Sequence, residues 1–327
     1  MSRRSGVFAY LSPREMAPFV KWDYEILSSR YKMRRRFYRG TFHSYPDRFM
    51  IGSGVLVSDF SYSYFGYTQA YWTVKYSKKF GKKSVVVLAG FDVCEEEDPE
   101  LRKRLPMVRY VLKNADCLLA VSNRVRNKAL EIDGSAEVEV LYNGLDANAF
   151  KPQGQKEKKV VTVGYVDKTH MRRKGLEVFV RSASLLPDCQ FIVAGKWLDD
   201  AIDHLKSISP PNVSFTGYLR PEVLLQLYQS AGVYVQASLH ECFGIAMAEA
   251  MLCGCAPVVS DRGAIPEVVG DTGIYINPES PEDVARGIQT ALDNQRLGVL
   301  ARERIARLFP LEARRKALLE VVEGLLR

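Results

Sequence analysis

Two glutamates eight positions apart, Glu241 and Glu249, stand in the segment SLHECFGIAMAEAMLCGCAPVVS, residues 238 to 260. The apolar run Val233 to Ala237 reads as a strand entering a short loop that holds His240 and Glu241, and a helix is expected from about Phe243. The first N–H groups of such a helix have no backbone partners and lie at the positive end of its dipole, which suits a pyrophosphate. Gly244 would let a ligand approach the backbone closely, and the Glu241 carboxylate would accept hydrogen bonds from ligand hydroxyls. Glu249 sits among Ala246, Met247, Ala248, Ala250 and Met251. Burying an unpaired carboxylate there is costly, so Glu249 either faces solvent or meets a hydroxyl-rich or cationic group.

A second cluster lies in VTVGYVDKTHMRRKGLEVFVRSASLLP, where Gly164 ends a strand and Arg172, Arg173 and Lys174 precede Gly175 at the start of a helix. Cations fixed there would suit a phosphate-bearing ligand, whose charge they would offset. A basic triplet alone is more often a solvated face.

These groups need a scaffold, and short β-branched runs alternating with helix-length segments supply one: an α/β chain of parallel βαβ units. Expected strands in the first half are Val7 to Leu11, Val55 to Phe60, Ser84 to Leu88, Cys117 to Ser122 and Val138 to Tyr142, with helices over Tyr67 to Phe80 and Pro99 to Asn114. In the second half they are Val160 to Tyr165, Gln190 to Ala194, Val213 to Thr216, Val233 to Ala237, Pro257 to Ser260 and Gly273 to Asn277. Two or three helices close the chain from Pro281. The run NGLDANAFKPQGQKEKKVVTVG is rich in turn formers and polar residues, placing a boundary near 150. Two doubly wound Rossmann-like domains, 1–150 and 151–327, would then face each other across a cleft, with ligands outside the carboxyl ends of the strands.

The Glu-x7-Glu spacing, with Phe243-Gly244 two places after the first Glu and Glu249-Ala250-Met251 at the second, resembles the retaining glycosyltransferases of family four. The stretch CGCAPVVSDRGAIPEVVGDTGIYINPESPEDVARGI resembles them too, and the likeness runs over residues 141 to 292. It implies a GT-B fold with an N-terminal acceptor-binding domain and a C-terminal domain that binds a UDP- or GDP-sugar. It further implies that Glu249 binds the ribose and Glu241 the transferred sugar. Phe243, Gly244 and Ile245 would line the sugar pocket, and Lys174 and Arg173 would act with Glu241 in catalysis. Gly164, Arg172 and Tyr218 would complete the donor site. Tyr165 stands where the family usually has an arginine; Arg172, Arg173 or Lys168 would supply the missing cation. In the N-terminal half, Ser12-Pro13-Arg14-Glu15-Met16 replaces a glycine-rich loop, while Gly90 and Asp92 match the acceptor side. Asp92 would bind an acceptor hydroxyl, or else serve as a turn residue. Such enzymes are thought to substitute at the front face, so neither His43 nor His240 is needed as a base. No Asp-x-Asp motif is present, so no metal or other cofactor is expected. A non-catalytic nucleotide-sugar-binding module and a GT-B epimerase are the alternatives.

Composition narrows the partners. The 327 residues are 47% hydrophobic and 26% charged, which excludes disorder and coiled coil. The formal charge of +8 is uneven: residues 1 to 83 hold 16 Lys and Arg against 5 Asp and Glu, and the remainder hold 30 against 33. The same quarter carries 20 of the 35 aromatic residues. Residues 31 to 83, with Arg34, Arg35, Arg36, Lys75, Lys78 and Lys79 beside Tyr38, Tyr71 and Trp72, therefore suit an anionic membrane surface and a lipid-linked or glycan acceptor. A solvated basic face over an aromatic core is the equal alternative, and nucleic acid a rival set aside because the donor motifs point elsewhere. Six dispersed cysteines and four histidines form no zinc pattern, and no secretory or membrane-spanning run is evident. A cytoplasmic protein, peripheral on the cytoplasmic membrane face, is expected.

Overall fold

The computed structural model describes residues 3–11, 16–39, 45–94, 99–294 and 296–327, without the side chains of 99–101. The loop 12–15 and His43 lie outside them. By contacts the chain divides into one unit of Met1–Gly144 with Leu311–Arg327 and another of Leu145–Pro310.

The first unit runs β1 (Ser5–Leu11), α1 (Pro18–Arg30), β2 (Lys32–Tyr38), α2 (Tyr45–Leu56), β3 (Phe60–Tyr64), α3 (Thr68–Lys79), β4 (Lys83–Leu88), α4 (Pro99–Asn114), β5 (Cys117–Ala120), α5 (Asn123–Ile132) and β6 (Val138–Val140). The strands form a parallel sheet in the order β2-β1-β3-β4-β5-β6. Central β4 is a run of valines buried on both faces, as a covered parallel strand must be. By contrast β2, with the sequence KMRRRFY, is an edge strand whose residues are mostly part-exposed; charge on an edge discourages pairing with another chain.

The second unit runs β7 (Glu157–Val163), α6 (Lys168–Arg173), α7 (Leu176–Ser182), β8 (Gln190–Ala194), α8 (Ala201–Ser207), β9 (Val213–Gly217), α9 (Pro221–Ser230), β10 (Ala231–Gln236), α10 (Ile245–Leu252), β11 (Ala256–Val259), α11 (Ile265–Val269), β12 (Ile274–Tyr275), α12 (Pro281–Asp293) and α13 (Arg296–Leu308). Its parallel sheet has the order β12-β11-β10-β7-β8-β9. The chain therefore leaves β7 in one direction and returns on its other side as β10, so the topological switch lies between them. Val160, Phe191, Val233 and Val258 anchor the core.

The two doubly wound α/β units match the expected architecture, with corrections. Val55 to Phe60 is not a strand: α2 continues to Leu56 and β3 starts at Phe60. The division falls at Gly144 rather than 150, and α14 (Leu311–Leu325) belongs to the first unit, not to a continuous 151–327 domain. The physical reason is Arg314 on α14. It is buried, and its guanidinium donates to both Asp23 oxygens at 2.7 and 2.6 Å and to the carbonyls of Leu141 and Tyr142 at 2.9 and 2.7 Å. Asp23 also accepts from the Tyr62 hydroxyl at 2.6 Å, so its charge is matched by several donors, which a buried ion needs.

Candidate functional site

The carboxyl ends of β7 and β10 bring the sequence-predicted groups of the second unit together. Lys174 follows α6, and its stem runs past Gly164, where an added Cβ would lie 3.5 Å from Lys174 Cγ. Its Nζ donates to Glu241 Oε2 at 2.7 Å. The same oxygen receives the Gln236 amide at 3.2 Å, and Glu241 Oε1 receives the Cys242 N–H at 3.2 Å. Burial alone would raise the Glu241 carboxyl; Lys174, with Arg173 and the Cys242 amide, outweighs it and holds the group below the usual carboxylate range.

Backbone contacts fix this pair. The Leu239 N–H donates to the Arg173 carbonyl at 2.8 Å, tying the cationic turn to the glutamate loop, and the Ala264 N–H donates to the Glu241 carbonyl at 2.8 Å. Gly175 and Gly263 both have φ +64, and a Cβ on either would lie 2.2 Å from a carbonyl oxygen, of Ala237 and Glu241 respectively. Only glycine fits such contacts in left-handed backbone. Gly244, φ +85, begins α10 with no side-chain cap, and Ile245 is its first residue. Glu249 lies on α10, eight positions after Glu241 in the preceding loop, and is half-buried. Burial pushes its carboxyl up to about 8, partly opposed by the Tyr228 hydroxyl.

Among the three candidate cations, Arg173 acts electrostatically on Glu241, Arg172 is exposed, and Lys168 is held by Asp200 at 2.9 Å. Tyr218 is 69% exposed beyond β9, two strands from β7 and so about 10 Å across the sheet. His240 is exposed. Phe243 departs from expectation: its ring does not line a pocket but is buried edge-on to Phe309 at 5.4 Å, because an apolar ring beside the core gains more there than at a polar loop.

Gln236 was not foreseen. Its amide N–H reaches Glu241 and Ser238 Oγ while its oxygen accepts from the Tyr234 hydroxyl at 3.1 Å, linking the pair to the sheet. A glutamine ending the apolar strand AGVYVQ was the available signal, since a buried amide must find partners.

In the first unit, Asp92 and Gly90 do not offer themselves to an acceptor hydroxyl. Asp92 is fully buried and accepts the N–H groups of Gly66 at 2.7 Å, Gly90 at 2.8 Å and Ala89 at 3.2 Å. Gly90 is thus consumed in the same turn. The physical reason is that backbone amides leaving β3 and β4 need acceptors, and the Asp92 carboxylate, reaching back to residues that precede it, provides them. Among the described residues no cluster of His, Cys, Asp or Glu is placed to hold a metal, and no helix is long and apolar enough to cross a membrane.

Residues 157–294 match the family model described as Glycosyl transferases group 1. This stretch contains Gly164, Lys174, Glu241 and Glu249. The serotype-specific mannosyltransferase WbdA of Escherichia coli is 27% identical over 220 residues, which cover 61% of this chain and 27% of WbdA. The sulfoquinovosyl transferase of Arabidopsis thaliana is 28% identical over 223 residues, 60% of this chain and 42% of that protein. The chain thus matches about a quarter to two fifths of the length of these two curated relatives. Among solved structures, Anabaena HepE in complex with UDP and glucose superposes with a TM-score of 0.83 at 17% identity, covering 98% of this chain and 100% of that one. Sucrose-phosphate synthase from Thermosynechococcus elongatus gives 0.81 at 18% identity, covering 99% of each. At such identities the likeness shows the fold, which is GT-B.

Proposed function

We propose that the chain is a retaining glycosyltransferase that moves a sugar from a UDP- or GDP-sugar to a lipid-linked or glycan acceptor. The observation that carries this reading is the Lys174–Glu241 pair, 2.7 Å long, beside the uncapped start of α10 in the segment similar to group 1 glycosyl transferases. HepE's complex with UDP and glucose supports a nucleotide-sugar donor.

In the unliganded pair each buried charge satisfies the other. A donor would take both: Glu241 would accept from sugar hydroxyls, while Lys174 and Arg173 would turn to the diphosphate, aided by Arg172 and the N–H groups after Gly244. Glu249 would accept from the ribose hydroxyls, and Tyr218 would border the base. As the bond from the anomeric carbon to the phosphate oxygen breaks, the acceptor oxygen would bond to that carbon on the same face. Its proton would pass to the departing phosphate oxygen, so no side-chain base is required. Fixed cations in place of a divalent ion make the reaction metal-independent, and turnover would persist in EDTA.

The test is a panel of nucleotide sugars read by mass spectrometry for UDP or GDP release. Release from at least one, with retained anomeric configuration in the product, is expected. Nucleotide binding without any turnover would leave a binding module instead, and no binding would end the reading. The first unit would carry the acceptor on an anionic membrane surface, holding the protein on the cytoplasmic face as a peripheral protein.

A further inference from the structure

Helix α6, beyond the carboxyl end of β7, carries a further basic group beside those already placed. His170, Arg173 and Lys174 stand three and four positions apart at the end of this helix, so their side chains share one side of the turn. Asp167 fixes the first of them. Its carboxylate accepts the His170 N–H at 2.8 Å and meets the ring Nδ1 at 2.7 Å. With the Nδ1–H donated to Asp167, Nε2 is the nitrogen that gains or loses a proton. Among the described residues nothing forms a hydrogen bond to Nε2, and the side chain is 20% exposed. The ring lies edge-on to Tyr165, which follows Gly164, with centroids 5.6 Å apart. His170 is thus anchored at one nitrogen and open at the other, next to the Lys174–Glu241 pair.

The surroundings of this ring oppose a charge on it. Burial and then Arg173 lower its proton affinity, Asp167 opposes them and Lys174 adds to the lowering, so the ring titrates below its ordinary 6.5. Burial would raise the Asp167 carboxyl, but the His170 N–H and ring outweigh it and keep that group ionised. The other charges near α6 are engaged elsewhere: Asp199 accepts the Lys168 N–H at 3.1 Å, and Asp200 pairs with Lys168 at 2.9 Å. Glu241 pairs with Lys174 at 2.7 Å, and on α7 Glu177 pairs with Arg181 at 2.7 Å. A phosphate anion arriving at Lys174 and Arg173 would offset their repulsion and offer an oxygen to Nε2–H. The balance would then favour the imidazolium.

We infer that His170 is a donor-binding group that takes up a proton as the diphosphate of a nucleotide sugar binds, its Nε2–H then donating to a phosphate oxygen beside Lys174 and Arg173. One proton passes from solvent to Nε2, and no bond in the donor changes. The inference rests on the nucleotide-sugar reading of this site and goes beyond it by assigning a cation whose charge depends on the ligand. A ring that the ligand makes more basic strengthens binding most at low pH, and that contribution is lost as pH rises through the value it has in the complex. Glu249, acting through the ribose, gives the opposite slope. Variants of His170 therefore separate the two where the wild-type profile would blend them.

The test uses the full chain and follows the ring C2 proton of His170 by NMR, one of only four histidines in the sequence, assigned by its loss in His170→Gln. Its titration is read alone, with UDP-glucose, with GDP-mannose and with inorganic pyrophosphate. With a nucleotide sugar the midpoint is expected to rise by about one unit or more, which is about tenfold in affinity. Accordingly His170→Gln should bind that donor about tenfold more weakly than the wild type near pH ~5.5 and equally near pH ~8.5. His170→Arg, charged throughout, should bind at the higher pH at least as tightly as the wild type. Circular dichroism melts confirm that each variant folds. An equal loss at both pH values would make His170 a structural partner of the Asp167 cap and overturn the inference, as would nucleotide-sugar binding that leaves the midpoint unmoved. A shift with pyrophosphate but no binding of either nucleotide sugar would end the nucleotide-sugar reading while keeping His170 as an anion-linked proton acceptor. No binding of any of the three would end both.

Discussion

Lys174 Nζ stands 2.7 Å from Glu241 Oε2, with 15% and 11% of the two side chains exposed. At that burial each ion depends on the other, and removing one leaves the second uncompensated. Lys174→Met is therefore expected to cost about 2 kcal/mol of stability, less than the ~3–5 kcal/mol of a wholly buried pair. Adding Glu241→Gln to it should restore most of that loss without restoring sugar transfer. Denaturant melts and donor turnover on the two single variants and the double variant separate the structural share of the pair from the chemical one.

Glu249 gives a pH dependence. Its carboxyl is raised from 4.5 to about 8 by burial, so between these values the unfolded chain has lost a proton that the folded chain keeps. Unliganded stability should accordingly fall as pH rises through this window, and Glu249→Gln should flatten the profile in thermal melts. Ribose hydroxyls would favour the charged carboxylate, so nucleotide binding below pH 8 should release a proton. Calorimetry in buffers of differing ionisation enthalpy would count it; no release would separate Glu249 from the ribose.

Gly263→Ala should damage the site from outside it. The new Cβ would lie 2.2 Å from the Glu241 carbonyl, in backbone at φ +64. Both strains add to about 2 kcal/mol or more, with nucleotide affinity falling tenfold or further as the glutamate loop shifts. Gly134→Ala, whose Cβ meets only the Leu130 carbonyl at 3.8 Å, is the control that should change neither.

Arg314→Met removes every charged donor facing Asp23 in a buried setting and should destabilise the first unit by about 3–5 kcal/mol. Pairing it with Asp23→Leu should recover part of the loss, the remainder reflecting the Tyr62 hydroxyl and the carbonyls of Leu141 and Tyr142 left without their partners. Chemical melts followed by Trp22 and Trp72 fluorescence, both in this unit, would report it.

Much of the second unit was legible because its strands are short apolar runs and its glutamates sit at fixed spacing on a strand, loop and helix. The strand Gln190–Ala194 was placed to the residue. The first unit was harder. A basic run such as KMRRRFY does not look like a strand, since burial is what writes apolar periodicity into sequence and β2 is an edge. Val55 looked like strand because a short apolar run has no period of its own. That the Leu239 N–H meets the Arg173 carbonyl while Asp200 pairs with Lys168 could not be read from the basic triplet, because both partners lie far along the chain. Asp92 stayed open between a ligand and its own turn in sequence, because an acid near a glycine can serve either, and the three amides it accepts come from tertiary structure. The Asp23–Arg314 pair, 291 residues apart, left no local trace.

That separation has a consequence for how the protein is made. On the ribosome, β1 to β6 emerge first, but Asp23 must wait until the whole second unit has been synthesised before Arg314 arrives. The early sheet thus carries a carboxylate that it cannot bury at low cost, and its final closure is a late event with large loop-closure entropy. A chain halted before residue 311 would therefore hold a first unit that is poorly sealed and a ready substrate for proteases until α14 arrives to close it.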